Sequence, residues 1–133
     1  MLGGLWKANQ ADNHVFHSPS GRVHCTIADW ARFAALRLET EKPKILDRET
    51  LDDMVQSSDN YAAGWVVAQR EWANGTAFAH SGSNGQWFAT IWVAPKLNRI
   101  FMVATNCCEN TQQTQRITND VVSALIEIGQ IGQ

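Results

Sequence analysis

Gln86-Trp87-Phe88-Ala89-Thr90-Ile91-Trp92-Val93-Ala94 is the stretch that decides the fold. Read with the period of two that a strand imposes, it puts Trp87, Ala89, Ile91 and Val93 on one side and Phe88, Thr90, Trp92 and Ala94 on the other. Both sides are largely apolar. An antiparallel sheet with one wet face alternates apolar with polar, so this strand must be covered on both faces. Residues 99–105 behave alike, with Ile100, Met102 and Ala104 opposite Phe101, Val103 and Thr105, and Pro95-Lys96-Leu97-Asn98 supplies the turn between the two runs. Upstream, residues 62–69 and 76–80 read as strands joined antiparallel through residues 71–75. The expectation is an α/β chain of the α+β type: a mainly antiparallel sheet of three or four strands, with a C-terminal helix on one face and short helices before it.

The helices follow from spacing and caps. Thr26-Ile27-Ala28-Asp29 has the form of a capping box, and Ile27, Trp30, Ala31, Ala34 and Leu38, widened by Phe33 and Leu36, predict a helix over residues 27–39. Pro43 closes it. Asp47 caps a second, short helix carrying Leu51, Met54 and Val55, with Leu46 placed to staple onto Leu51. Asn110 or Thr111 starts the last helix, whose Ile117, Val121, Ala124, Leu125 and Ile128 form one stripe facing the sheet, and Gly129 ends it. Residues 1–24 are loop-rich, with a turn cluster at Ser18-Pro19-Ser20-Gly21, and residues 57–60 form another loop. No linker or repeat divides the 133 residues, so a single domain is expected.

Composition removes several function classes. With 11 Lys and Arg against 13 Asp and Glu, there is no basic field for nucleic acid. No apolar run nears the ~20 residues that span a bilayer. Residues 1–7 lack the charged and apolar regions of a secretory signal, so the chain as given carries no export signal and reads as cytoplasmic. Three cysteines, Cys25 and the vicinal Cys107 and Cys108, read as reduced thiols. Cys25 stands where a residue before a helix packs onto Trp30, a structural position rather than a nucleophile's. His14, His17, His24 and Cys25 fit no zinc spacing, and neither a metal nor a cofactor is expected. Asn74-Gly75-Thr76 reads as a turn, although it has the form of a glycosylation acceptor.

The chemistry concentrates in His80-Ser81-Gly82-Ser83-Asn84-Gly85, between two strands. The bland reading is a polar turn. The functional one is a ring that works as acid or base near neutral pH, with hydroxyls and an amide beside it and two glycines that let a ligand approach.

Four motifs, in order, resemble the C-terminal half of the serine β-lactamase and penicillin-binding-protein family, in its class C and esterase-like branch. Ser20-Gly21-Arg22-Val23-His24-Cys25-Thr26-Ile27-Ala28-Asp29-Trp30-Ala31-Arg32-Phe33 is similar to the family's Gly-Gly-Leu-x-Ser-Thr-x-x-Asp-x-x-x-Phe segment, and Ala63-Gly64-Trp65 to its Gly-x-Gly-Trp strand. His80-Ser81-Gly82 stands in the place of its Lys/His-Ser/Thr-Gly box, and Trp92-Val93-Ala94-Pro95 with Val103-Ala104-Thr105-Asn106 resembles its closing hairpin. The resemblance spans residues 18–128. It implies amide or ester hydrolysis through an acyl-enzyme. His80 would border the cleft, Ser81 would join its hydrogen-bond network, and Gly82, with Asn84 and Gly85, would leave room for substrate. The backbone N–H of Ser83 would be an oxyanion-hole donor.

The nucleophile's box is missing from this sequence. Residues three before Lys7, Lys42, Lys44 and Lys96 are Gly4, Glu39, Glu41 and Val93, so there is no Ser-x-x-Lys. The single tyrosine, Tyr61, precedes Ala62-Ala63, so there is no Tyr-x-Asn either. The expected outcome is a chain that supplies the substrate and oxyanion strand and is inactive alone, binding a small amide, ester or carboxylate. The alternative is a non-catalytic binding or self-assembly module. Without the family's N-terminal strands, the edge of residues 99–105 and one apolar face should be open, which predicts a homo-oligomer.

Overall fold

The computed structural model describes residues 13–38, 40, 46–56, 59–106 and 110–131. The expectations at Pro43, Ser57, Ser58, Cys107 and Cys108 lie outside them. Element order is α1 (Ser18–Gly21), α2 (Ile27–Ala35), α3 (Arg48–Asp53), β1 (Tyr61–Ala62), β2 (Trp65–Arg70), β3 (Gly75–Ser83), β4 (Phe88–Ala94), β5 (Arg99–Thr105) and α4 (Thr111–Ile131). The strands form one antiparallel sheet in the order β1-β2-β3-β4-β5, so spatial order equals chain order.

The sheet has five strands rather than three or four, because Ala63 and Gly64 break the expected run 62–69. Their φ values of 48° and 83° make a two-residue turn of the kind that joins hairpin strands, and it frees Tyr61–Ala62 to pair back on Val66 and Trp65. Asn74 and Asn98, with φ of 55° and 52°, end the 3-10 turns that lead into β3 and β5, as short polar residues tolerate the left-handed region.

Both faces of the central strands are covered. On one side Trp65, Phe78, Ile91 and Val93 pack against Ala34 and Leu38, with Trp30 and Val55 at the margin. Trp65 meets the Phe78 ring edge-on at 6.3 Å. Burying a side chain such as Ile91 contributes about 1.5–3 kcal/mol, and β4 holds four such apolar positions below 5% exposure in Phe88, Ile91, Val93 and Ala94. Across the sheet, Trp72 packs edge-on against Trp92 and Phe101, and α4 covers β4 and β5.

Several expectations about the helices are corrected. α2 ends at Ala35, and Leu36, Arg37 and Leu38 continue in bonds to the third residue back (Leu38 N to Ala35 O, 2.9 Å). That tightening turns the carbonyls of Leu36 and Leu38 to Arg48, whose guanidinium donates to both, at 3.1 and 2.8 Å. Ile27 and Phe33 are left exposed, as is Leu46, whereas Leu51 is buried. In α4 the stripe facing the sheet is Thr114, Thr118 and Val122, while Ile117, Val121 and Ile128 are 55%, 42% and 66% exposed. Nor does Gly129 stop α4: it lies inside the helix against the Phe101 ring, and a helical glycine costs only about 1 kcal/mol. The caps agree with their sequence signals. Thr26 Oγ1 accepts from the Asp29 N–H and donates to the Asp29 carboxylate, Asp47 accepts from the Thr50 N–H, and Asn110 Oδ1 accepts from the Gln113 N–H.

Candidate functional site

The site begins with where β2 stops. The β2–β3 ladder closes at Val66 opposite Ala79, whereas β3 continues beside β4 from Phe78 opposite Val93 to Ser83 opposite Phe88. His80, Ser81, Gly82 and Ser83 therefore pair on the β4 side, and among the described residues no strand lies along their other edge. The Ala63-Gly64 turn causes this, by reversing the chain before β2 can extend alongside them.

His80 is exposed and sits at that edge, with its Nδ1 2.5 Å from the Gly64 carbonyl oxygen. A carbonyl only accepts, so Nδ1 is the protonated nitrogen and donates. In the neutral ring the acceptor lone pair is then on Nε2. The Gly64 carbonyl thus orients the ring.

Alternation separates the neighbours of His80. His80 and Gly82 lie on the face of Phe78, toward α2, and Ser81 and Ser83 lie on the face toward α4. The Ser81 hydroxyl is 2.7 Å from the Thr90 hydroxyl, so it does not share a face with the imidazole. Ser83 Oγ accepts from the Gly85 N–H at 3.0 Å, and Asn84 Oδ1 accepts from the N–H groups of Gln86 and Trp87 at 3.1 and 2.9 Å. These side chains hold the β3–β4 turn. At Gly82, among the described residues beyond its chain neighbours, no atom lies within 4 Å of where a Cβ would stand, which leaves the approach to the strand open.

Sequence reasoning missed two partners. Gly64 carried a motif signal, but its pairing with His80 depends on a turn sixteen residues upstream. Thr90 carried a weaker one, as the lone hydroxyl within the apolar run of β4. Cys25 is exposed rather than packed under Trp30. His14 stacks on Phe16 with ring centroids 4.8 Å apart. Among the described residues no three His, Cys, Asp or Glu side chains gather as metal ligands, and no helix is long and apolar enough to cross a membrane.

Compared with known proteins, the chain matches one family model, described as Beta-lactamase, over residues 3–124. No curated protein and no solved structure matches it. The order of the loop-to-helix segment, the Gly-Trp turn and the His-Ser-Gly strand agrees with that match, which spans most of the sequence, and on it the chain belongs to the beta-lactamase family.

Proposed function

We propose that this chain supplies the substrate-binding and oxyanion-stabilising strand of a serine hydrolase that acts on amides or esters, and that it forms no acyl-enzyme by itself. The observation that carries the reading is the edge of β3: exposed His80 is held through Nδ1 by the Gly64 carbonyl, next to a strand edge with no partner among the described residues. In this reading an extended amide or ester lies along the edge and Gly82 gives it room. His80 receives or returns the proton, and the Ser83 N–H donates to the oxyanion, an interaction that helps because it is fixed before the charge develops. The absence of Ser-x-x-Lys and Tyr-x-Asn from the sequence supports the second half. A serine without an activating base is a weak nucleophile, and orientation alone gives a small residual rate.

The test is intact-mass spectrometry after treatment with a fluorophosphonate or an activated ester, alongside turnover of a chromogenic β-lactam. Unmodified protein and no turnover are expected. A stoichiometric adduct on one serine, lost on its replacement by alanine, would overturn the claim of inactivity. A second reading, a self-assembly module on the same fold, draws its support from the exposed α4 residues Ile117, Val121 and Ile128 and from the outer edge of β5, which no described strand covers.

A further inference from the structure

The exposed apolar residues of α4 share one flank of the helix, and β5 shows which way that flank looks. At about 100° per residue, Ile117, Val121 and Ile128 fall within about 40° of one another, roughly a quarter-turn from Thr114, Thr118 and Val122, which face the sheet. Ile117 and Val121 line a groove of about 570 Å³, and the strand residues among its described lining are Val103 and Thr105 of β5. The flank therefore looks outward past the edge of the sheet, not inward across it.

That edge carries none of the usual guards. Strands left at a sheet border are kept short, or hold charges or proline that discourage pairing. β1, at the other border, has two residues, whereas β5 runs through Ile100-Phe101-Met102-Val103-Ala104-Thr105 with neither a charge nor a proline. α4 packs on both β4 and β5, so its axis runs over the space between them. When β5 pairs antiparallel with β5 of a second copy, a two-fold axis stands normal to the sheet, and the two α4 axes come two strand spacings apart, ~10 Å. Helices in contact lie about 8–10 Å apart. Pairing the edges thus brings the two apolar flanks together without further adjustment.

The residue order is self-complementary in the same arrangement. Met102 is the midpoint of β5, and the midpoint between Ile117 and Ile128 falls between Val122 and Ser123. Phe101 lies beside Gly129, and Val103 shares the groove with Ile117 and Val121, so the two midpoints stand at one level of the molecule. One two-fold axis serves both. It sets Ile117 against Ile128 of the second copy and Val121 beside its Ala124. Arg116 and Glu127 of the second copy, both exposed, then stand ~3 Å apart along the helix axis on the solvent side of the contact. We infer that this flank is an isologous interface with a second copy of the chain: β5 pairs with β5 into one continuous sheet, the α4 helices pack antiparallel, and Arg116 meets Glu127 at each end. The inference rests on the self-assembly reading, which it deepens, and His80 takes no part in it.

Sedimentation equilibrium of the whole chain and of charge reversals at positions 116 and 127 tests it. The wild type is expected to dimerise. Arg116→Glu and Glu127→Arg are each expected to raise the dissociation constant about tenfold, since both symmetry-related pairs turn repulsive, while circular dichroism stays that of the wild type. The double reversal, and an equimolar mixture of the two single variants, are expected to recover most of the lost affinity, because opposite charges face each other again. Hydrogen exchange at residues 100–105 is expected to slow as protein concentration rises. A monomer at high micromolar concentration would overturn the proposal and the self-assembly reading together. A dimer indifferent to the reversals, or one that the mixture does not restore, would overturn the proposal alone and leave assembly to another face. Protection of residues 100–105 that does not change with concentration would show the edge covered from within the chain, and would overturn it as well.

Discussion

At residues 63 and 64 the backbone does the positioning that side chains do elsewhere. Gly64 has φ of 83° and, among the described residues beyond its chain neighbours, no atom within 4 Å of where a Cβ would stand, so the cost of a methyl group there is conformational. Gly64→Ala is expected to lower stability by about 1 kcal/mol, as an L-residue entering the left-handed region does, and Ala63→Gly to be nearly neutral because relief of strain offsets the added freedom of the unfolded chain. Urea unfolding of the two variants checks both, and equal losses would contradict this account of the turn. His80 as the central polar residue was legible in the sequence, because its motif stands between two apolar runs. The face of Ser81 was open to a count of two along the strand. Reading residues 80–85 as one polar cluster hid it, since Ser, Gly and Asn signal a turn, whereas the ladder to β4 keeps the first four of them extended through Ser83.

Among the elements, α4 shows why a helical stripe is an incomplete guide. The apolar positions 117, 121 and 128 have helical spacing, yet the sheet takes the threonines one residue to the side. Thr118 Oγ1 donates to the carbonyls of Thr114 and Gln115 at 3.0 and 3.1 Å, so its polar atom is satisfied within the helix and the residue is buried with 2% exposure. A reading that counts threonine as polar cannot see that. α3 is the opposite case, as its start was visible in Asp47. The Thr50 N–H, bonded to the Asp47 carboxylate at 2.7 Å, holds the Asp47 pKa below its ordinary value. A carboxyl whose pKa is lower folded than unfolded adds stability above its unfolded pKa and loses it as pH falls through the folded one. The melting temperature of the wild type is thus expected to exceed that of Asp47→Asn near neutrality, with the difference vanishing as pH falls through and below the ordinary carboxylate range. A difference that does not change with pH would remove the charge from the explanation.

For the whole molecule, the two-sided apolar strands made the layered architecture legible, and the family motifs gave the order of its parts. The strand count was less so, because a two-residue strand leaves no periodicity to read. Assembly belongs to this scale as well. Ile117, Val121 and Ile128 are exposed on α4 and, among the described residues, no strand pairs with the outer edge of β5, an arrangement that favours contact between copies. Sedimentation velocity is expected to show a coefficient rising with concentration, and the triple change of these residues to serine is expected to abolish the rise while leaving the circular dichroism intact. A single monomeric boundary at high micromolar concentration would end that expectation. The strand order has a kinetic consequence too. Since each strand pairs with the next one in the chain, every closure from β1 to β5 spans only a short loop, and the entropy lost at each step is small. A chain leaving the ribosome lays each strand beside the one just made. Among the described strands none waits for a partner from a distant part of this sequence, and as they are made in turn the growing side of their sheet offers a single sticky border, on its newest strand.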